Sequence, residues 1–463
     1  MEPEARPTPT QKTTPEQAAD ADLTPAVFAL RARAQEYRRL RQVFIGNQGL
    51  RGGWIALMNL CLVLSIGWAL YSVAAAIHPF KIGDLSPVAI GIQVAILYLA
   101  IYGSNLILGQ VRARGLRWAL FGSQGLRAGW SVAIFVGLFL GLIQVVGRIL
   151  VTLFPVLRKD DFSPGTAALQ ELIPFLAMVG AAAIVAFMER RRIRDYNLAG
   201  PKRGRHFFGG LAAGFAALSL LVGALAWGGW LHFGAVALSG AAILQFGALW
   251  GCCFLLVGCV EEGTFRCYLQ FTLTRGINFW WALACVGGLC LRLLVHAKGN
   301  GVWGVYAIAL LGLIPCWRLH KAESPGAGFW QAAWVTSTLF GFVHTSNNGE
   351  NWIGIFAAAL IGFVFCVSVR VTGSAWWAIG CHASWDWAET YFYGTADSGF
   401  VAKGHYLTST PAGATLWSGG TDGPEGSLLV IPVVLLLLVV ILALYGRKKR
   451  NMVSDQALEQ ALG

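Results

Sequence analysis

Three short patterns in this sequence place ionisable side chains at helical spacing inside stretches that are otherwise apolar. The first is Glu261-Glu262-Gly263-Thr264-Phe265-Arg266, preceded by the apolar run from Trp250 to Val257 and followed by Tyr268-Leu269-Gln270-Phe271. Residues four apart share a helix face, so Arg266 can ion-pair with Glu262. Glu261 lies about 100° further round the helix, which leaves its carboxylate able to accept a proton as a general base. The second pattern is Phe340-Gly341-Phe342-Val343-His344, whose four-residue step lets the ring pack beside the imidazole. The third is His382-Ala383-Ser384-Trp385-Asp386, where imidazole and carboxylate can meet as a hydrogen-bonded pair or as joint ligands. Singly, each has a structural explanation: a buried ion pair, a satisfied core histidine, a local contact. A doubled glutamate inside a span is harder to explain by packing, because each ionisable residue there costs about 2.5–3.5 kcal/mol on insertion scales.

The elements that must hold these residues are membrane helices. The chain is 56% hydrophobic and only 13% charged, against about a quarter charged in a soluble chain of ordinary composition. Apolar runs of about 18 residues or more recur, each long enough to cross the hydrocarbon as a helix. They do not alternate at period two, which excludes a barrel and leaves an all-α polytopic membrane protein. The expected fold is a bundle of about 12 transmembrane helices with a buried active site. The spans are expected as two hairpins, 54–110 and 130–188, then 208–230, 240–272, 278–296, 302–317, 329–345, 352–370, 374–393 and 428–446.

An internal repeat marks the N-terminal part. Gly46-Asn47-Gln48-Gly49-Leu50-Arg51-Gly52-Gly53-Trp54 recurs as Gly122-Ser123-Gln124-Gly125-Leu126-Arg127-Ala128-Gly129-Trp130, each copy leading into an apolar run. This reads as a duplicated two-helix hairpin with Trp and Arg anchoring the interface. The expected organisation is therefore a tail and basic amphipathic segment at 1–50, a membrane module with the duplicated hairpin at 51–205, a helical core at 206–395, a polar outer loop at 396–427, and a last helix with a basic tail at 428–463. Residues 1–23 are rich in Pro, Thr, Glu and Ala and are expected to be disordered. The first fifty residues contain no apolar segment of the kind a signal peptide carries.

Basic residues fix the expected orientation. Arg112, Arg114 and Arg117, then Arg190–Arg192, Arg194, Lys202, Arg203 and Arg205, and finally Arg447-Lys448-Lys449-Arg450, fall on one side of the bundle. The positive-inside rule puts both termini in the cytoplasm, and the expected setting is a bacterial plasma membrane. The net charge of +12 thus sits beside apolar runs, where it meets headgroups, and does not imply nucleic acid. The ten cysteines form no CxxC pattern and read as small buried apolar residues.

In their order on three different spans, the motifs Glu-Glu-x-x-x-Arg, Phe-x-x-x-His and His-x-x-x-Asp resemble those of the CAAX-protease and bacteriocin-processing (CPBP, ABI) family. The resemblance covers about 245–395, roughly a third of the chain. It implies an intramembrane peptidase in which Glu261 and His344 activate water, Glu262 and Arg266 form a supporting ion pair with Phe340 packed nearby, and His382 and Asp386 stabilise the oxyanion. The family most often has Asn at the last position, and an amide donates where Asp386 can do so only when protonated. Glu261, His344 and His382 are also a potential zinc-ligand set with an open position, so metal-dependent and metal-free hydrolysis both remain open. The implied partner is a hydrophobic or membrane-anchored peptide in the lipid bilayer.

Two other functions compete. An ion-coupled transporter would suit the hairpin repeat and the in-span Glu and His, but the repeat carries no ionisable partner at midplane. A non-catalytic binding or immunity protein could keep the same fold. The remaining polar residues have plainer expectations: Arg148, Arg292, His296 and Lys298 snorkel, and His78, His206, His232, His320 and His405 lie at interfaces or in loops. Asp397, Asp422 and Glu425 are solvated turn residues, or else cap the outer mouth of a site.

Overall fold

The computed structural model describes residues 87–114, 120–158 apart from 123–124, 163–296, and 303–446 apart from 348 and 398, together with short stretches between 45 and 71. The amphipathic segment before residue 45, the basic tail after 446, and His78, Lys298 and the side chains of Arg292 and His296 lie outside the described residues.

The chain falls into two compact units, residues 1–74 with 80–119, and residues 75–79 with 120–463. In the smaller unit β1 (Ile45–Gly46) pairs antiparallel with β2 (Gly49–Leu50), and helix α1 runs from Pro87 to Arg114. Ser104 on α1 donates to Asn59 Oδ1 at 2.8 Å. The larger unit opens with the second copy of the repeat, where β3 (Phe121–Gly122) pairs with β4 (Gly125–Leu126) in the same register. The repeat is thus a repeated hairpin turn, and Gly125 takes the left-handed backbone (φ 101°) such a turn demands.

Helices α2 (Ala128–Leu153) and α3 (Pro164–Glu189) follow. Next come α4 (Arg203–Trp227), strand β5 (Leu231–Val236), and α5, a continuous helix of 34 residues from Ala241 to Thr274. Helices α6 (Phe279–His296), α7 (Trp303–Lys321), α8 (Ala327–His344), α9 (Trp352–Thr372) and α10 (Trp376–Asp386) complete the centre. Strand β6 (Leu407–Pro411) and α11 (Val430–Ile441) close the chain.

Six helices among the described residues are long and apolar enough to cross a membrane: the Gln93–Gln110 part of α1, then α2, α3, α4, α5 and α9. The chain is a helical integral membrane protein, but the expected twelve spans are not confirmed. Part of the first expected hairpin lies outside the described residues, and Phe279–Cys290 and Val430–Gly446 are shorter apolar helices, while α8 buries Gln331, Thr336, Ser337 and Thr338 inside the bundle. A helix lined by protein has no need of a lipid-compatible surface. Two further expectations are corrected. The polar stretch 396–427 contributes β6, which pairs with β5, so the fold is not purely helical. His206, expected at an interface, is buried at the start of α4 with its ring edge-on to Tyr445.

Two apolar clusters organise the larger unit. One joins Leu218, Leu221 and Leu225 of α4 with Phe365 of α9, Trp377, Cys381 and Trp385 of α10, and Val434 and Leu437 of α11. The other joins Phe135 of α2 and Met178 and Val185 of α3 with Phe265 and Tyr268 of α5 and Phe340 of α8. Helices α4 and α10 approach until backbone meets backbone. A Cβ added to Gly210 would collide with the carbonyl of Trp377, one on Gly214 with that of Cys381, and one on Gly380 with that of Phe207. This small-residue seam is how membrane helices gain van der Waals contact without a hydrophobic driving force between them. Gly214→Val is expected to lower stability in detergent by about 1–3 kcal/mol by overpacking that seam. Gly223→Ala, on the same helix with open space around its Cα, should leave the melting temperature unchanged or slightly raised; equal loss in both would show that the seam is not special.

Candidate active site

Glu261 and Glu262 lie where α5 changes pitch. From Gly263 to Leu269 the helix widens to π geometry, and the N–H of Gln270 bonds to the carbonyl of Phe265, skipping that of Arg266. The skipped carbonyl accepts from Asn197 Nδ2 at 2.7 Å. The carbonyl of Asn197 in turn accepts from the N–H of Ala375 at 2.8 Å, just before α10. One left-handed residue thus fastens both helices that carry the site. α10 repeats the device, continuing in π geometry from Trp387 to Phe392 immediately after Asp386. Such local widening recurs at functional sites, because it redirects side chains that regular pitch would place elsewhere.

Glu262 is fully buried, with Oε2 3.2 Å from Arg266 Nε. Its Oε1 accepts from His382 Nδ1 at 2.9 Å. That bond fixes the imidazole, since a carboxylate only accepts and Nδ1 must carry the hydrogen. Nε2 then points at two further carboxylates, Asp386 Oδ2 at 3.5 Å and Glu261 Oε2 at 3.8 Å. Glu261 is the accessible member of the pair: its side chain is 32% exposed, that of His382 12% and that of Glu262 not at all. Both predicted four-residue steps, Glu262 to Arg266 and His382 to Asp386, therefore fall on one face and converge.

Arg266 is enclosed by rings. Its guanidinium carbon lies 4.1 Å from the centroid of Phe340, 5.4 Å from Phe365 and 5.7 Å from Phe265. Its terminal nitrogens make no hydrogen bond, so cation–π attraction replaces the donors' usual partners. A Cβ on Gly362 would fall 2.5 Å from Arg266 Nη2, so α9 passes close to the cation and a larger residue there would displace the guanidinium. The rings continue outward: Phe365 stacks on His382 with centroids 5.9 Å apart, and Phe340 meets His382 edge-on at 6.1 Å.

His344 joins this group through Phe340 alone. Its ring centroid is 4.7 Å from that of Phe340, and its Nδ1 donates to the Phe340 carbonyl at 2.7 Å. The neutral ring consequently carries its lone pair on Nε2. Among the described residues His344 makes no ion pair with Glu261, and no three His, Cys, Asp or Glu side chains are arranged to hold a metal. The zinc set Glu261, His344 and His382 is thus not assembled among the described residues, where Phe340 stands between the two imidazole rings.

Several acidic residues were missed or misjudged in the sequence. Asp422, expected as a solvated turn residue or else as a cap on the outer mouth of a site, is 1% exposed, and its Oδ2 accepts the N–H of Asn351 at 3.1 Å. Asn351 caps α9 with its own oxygen and donates to the Gly426 carbonyl at 3.1 Å. Glu425 accepts from Trp385 Nε1 at 2.6 Å, next to Asp386, and Thr390 donates to Asp397 at 2.7 Å. Glu350 and Glu389 complete this group, Glu389 being 1% exposed. No apolar periodicity announces these contacts, since all depend on loops returning to the helix ends.

The segment 318–388 matches a family model described as Rce1-like, type II CAAX prenyl endopeptidase Rce1-like. That match spans α8 to α10 and includes Phe340, His344, His382 and Asp386, while Glu261, Glu262 and Arg266 lie outside it. Through this segment the protein is similar to the CAAX-protease-like family. No curated protein and no solved structure matches the chain.

Two predictions follow from the electrostatics. Arg266→Leu strands the buried Glu262 charge and is expected to cost about 3–5 kcal/mol of stability. The double variant Arg266→Leu/Glu262→Leu should recover much of that loss; a double variant as unstable as the single would mean the ion pair is not coupled. The second concerns the loop carboxylates. Burial, then the charges of Asp397 and Asp422, pushes Glu425 up to about 8 from the ordinary 4.5. Burial likewise raises Asp422, and burial followed by the charge of Asp422 raises Glu350. The folded protein therefore holds protons that the unfolded chain releases, and this contribution to stability is lost as pH rises from about 4.5 through about 8. The melting temperature should fall over that range, and Asp422→Asn should flatten the fall; a profile unchanged by the substitution would exclude this origin.

Proposed function

We propose that this protein is a glutamate-dependent intramembrane peptidase that hydrolyses a hydrophobic or membrane-anchored peptide. The observation that carries the reading is the division of labour between the adjacent glutamates. Glu262 is consumed by Arg266 and His382, which leaves Glu261 accessible beside the same imidazole.

In this mechanism Glu261 takes a proton from water as the water oxygen attacks the peptide carbonyl carbon. The oxyanion that forms is met by the Nε2–H of His382 in its doubly protonated, imidazolium form, which Glu262 orients by accepting from Nδ1. Asp386, on the same side of the ring, holds the orientation of His382 and donates to the oxyanion only in its protonated form. As the C–N bond breaks, the proton held by Glu261 passes to the departing nitrogen. His344 offers its Nε2 lone pair as a second acceptor. The family match supports protease activity; nothing in the residues around the site selects a prenyl chain over another apolar anchor.

The test is cleavage of a library of membrane-tethered peptides by the full chain in detergent. Glu261→Ala is expected to lower the rate by about 10²–10⁴, the range of a lost general base, with helicity and melting unchanged. Asp386→Asn should keep activity, because the amide can donate, whereas Asp386→Ala should lose it. Cleavage by Glu261→Ala at the wild-type rate would remove Glu261 from the role of base, and absence of cleavage by wild type across the library would count against the peptidase reading.

A further inference from the structure

Where the loop 396–427 returns to the bundle, carboxylates that the reaction does not use turn inward. Among the described residues no Lys or Arg pairs with Glu350, Glu389, Asp422 or Glu425; the arginine ion pairs belong to Glu189 and Glu262. Glu389, in the widened turn that continues α10, is 1% exposed, and its Oε1 is buried without a hydrogen bond. It is aimed at the turn after Asp422: a Cβ on Gly423 would stand 3.2 Å from that oxygen and against the carbonyl of Ala396. Asp422 is equally buried; Oδ2 accepts the N–H of Asn351, while Oδ1 has no partner. Glu350 takes Asn347 Nδ2 on Oε2 at 3.2 Å and leaves a buried Oε1 unmet.

The last two residues approach each other closely. Glu350 Oε1 and Asp422 Oδ2 both lie 2.5 Å from the point where a Cβ on Gly354 would be. They are therefore no more than about 5 Å apart, the reach of two ligands across one calcium ion. Buried carboxylates with unmet oxygens are costly unless a charge of opposite sign joins them. The donors gathered here are all oxygens, a set that suits a hard divalent cation and not zinc. Glu350 is only half-buried, which gives an ion a way in.

We propose that Glu350, Asp422 and Glu389 form a calcium site that ties the loop 396–427 to the start of α9 and the end of α10. Glu350 and Asp422 bind the ion directly. No three acidic side chains converge on a single point among the described residues, so Glu389 reaches the ion through a water, as one ligand of a calcium loop often does. Carbonyl and water oxygens complete the shell, which calcium tolerates in irregular geometry and magnesium does not. Asp397, Glu425 and Asp386 face Glu389 as well, so calcium competes with protons and binds best at alkaline pH. The site adjoins the reaction centre through Glu425, which accepts from Trp385 beside Asp386.

The test follows melting of the full chain in detergent at alkaline pH, stripped with EDTA and titrated with calcium chloride. The melting temperature is expected to rise, with half the effect at about 0.1–1 mM, the range of weak calcium modules. Magnesium chloride at the same concentrations should shift it less than half as far. Asp422→Asn and Glu350→Gln, which keep the side-chain shape, should each raise the half-saturating calcium concentration about tenfold or more. Asp195→Asn, on an exposed carboxylate elsewhere, should not change it. A wild-type shift no larger than that given by sodium chloride at equal ionic strength overturns the proposal, and that comparison needs no variant to fold. A calcium response unchanged in folded Asp422→Asn or Glu350→Gln overturns it too.

Discussion

A fully buried carboxylate governs the larger unit. Glu262 has no exposed surface, and an ion in that position is tolerated only if protein groups replace the water it has lost. Arg266 supplies the charge from the same helix and His382 supplies a hydrogen bond from another. Each of those partners imposes its own condition. The guanidinium needs aromatic faces, which brings Phe340 and Phe365 inward, and its end lies close against Gly362 of α9. The imidazole must reach Glu262, so α10 is held close against α4 along the Gly210–Gly214 seam. The position of the accessible glutamate is a by-product of satisfying the inaccessible one.

The same constraint separates what could be read in the sequence from what could not. Helical period alone places Arg266 over Glu262 and Asp386 over His382, and both steps are present. Period also separates Glu261 from Glu262 around the helix, which matches their different exposure. The pairing of His382 with Glu262 is a contact between α10 and α5, and no local pattern encodes it. Nor does the sequence signal the widened turn at 263–269, which depends on Asn197 accepting a role as partner for the stranded carbonyl of Arg266. Counting apolar runs does not separate helices that face lipid from helices lined by protein, and α8 hides its hydroxyls in the bundle.

The acidic residues were misjudged for opposite reasons. Asp422 looks like a turn residue because glycines surround it, yet the loop folds back onto the capped start of α9 and excludes water from it. Glu171 was legible and passed over: it is an ionisable residue inside a span, which is itself a signal. It sits in the hairpin of the second repeat, while the paired motifs drew attention to the later helices. The hairpin belongs to the same compact unit as α5 to α10.

The widened segment of α5 has a consequence for what a single helix can present. Before it, the helix shows Glu262 to α10; after it, Gln270 donates to the Phe329 carbonyl at 3.0 Å and accepts from Thr336 at 3.0 Å, both on α8. An extra residue per turn rotates everything downstream by about 100° relative to a regular helix. α5 therefore behaves as two recognition faces joined at a fixed azimuth, one reading α10 and the other reading α8. Its angular offset is set by backbone hydrogen bonding and not by either partner, so the two neighbours are held in phase by a helix that belongs to both.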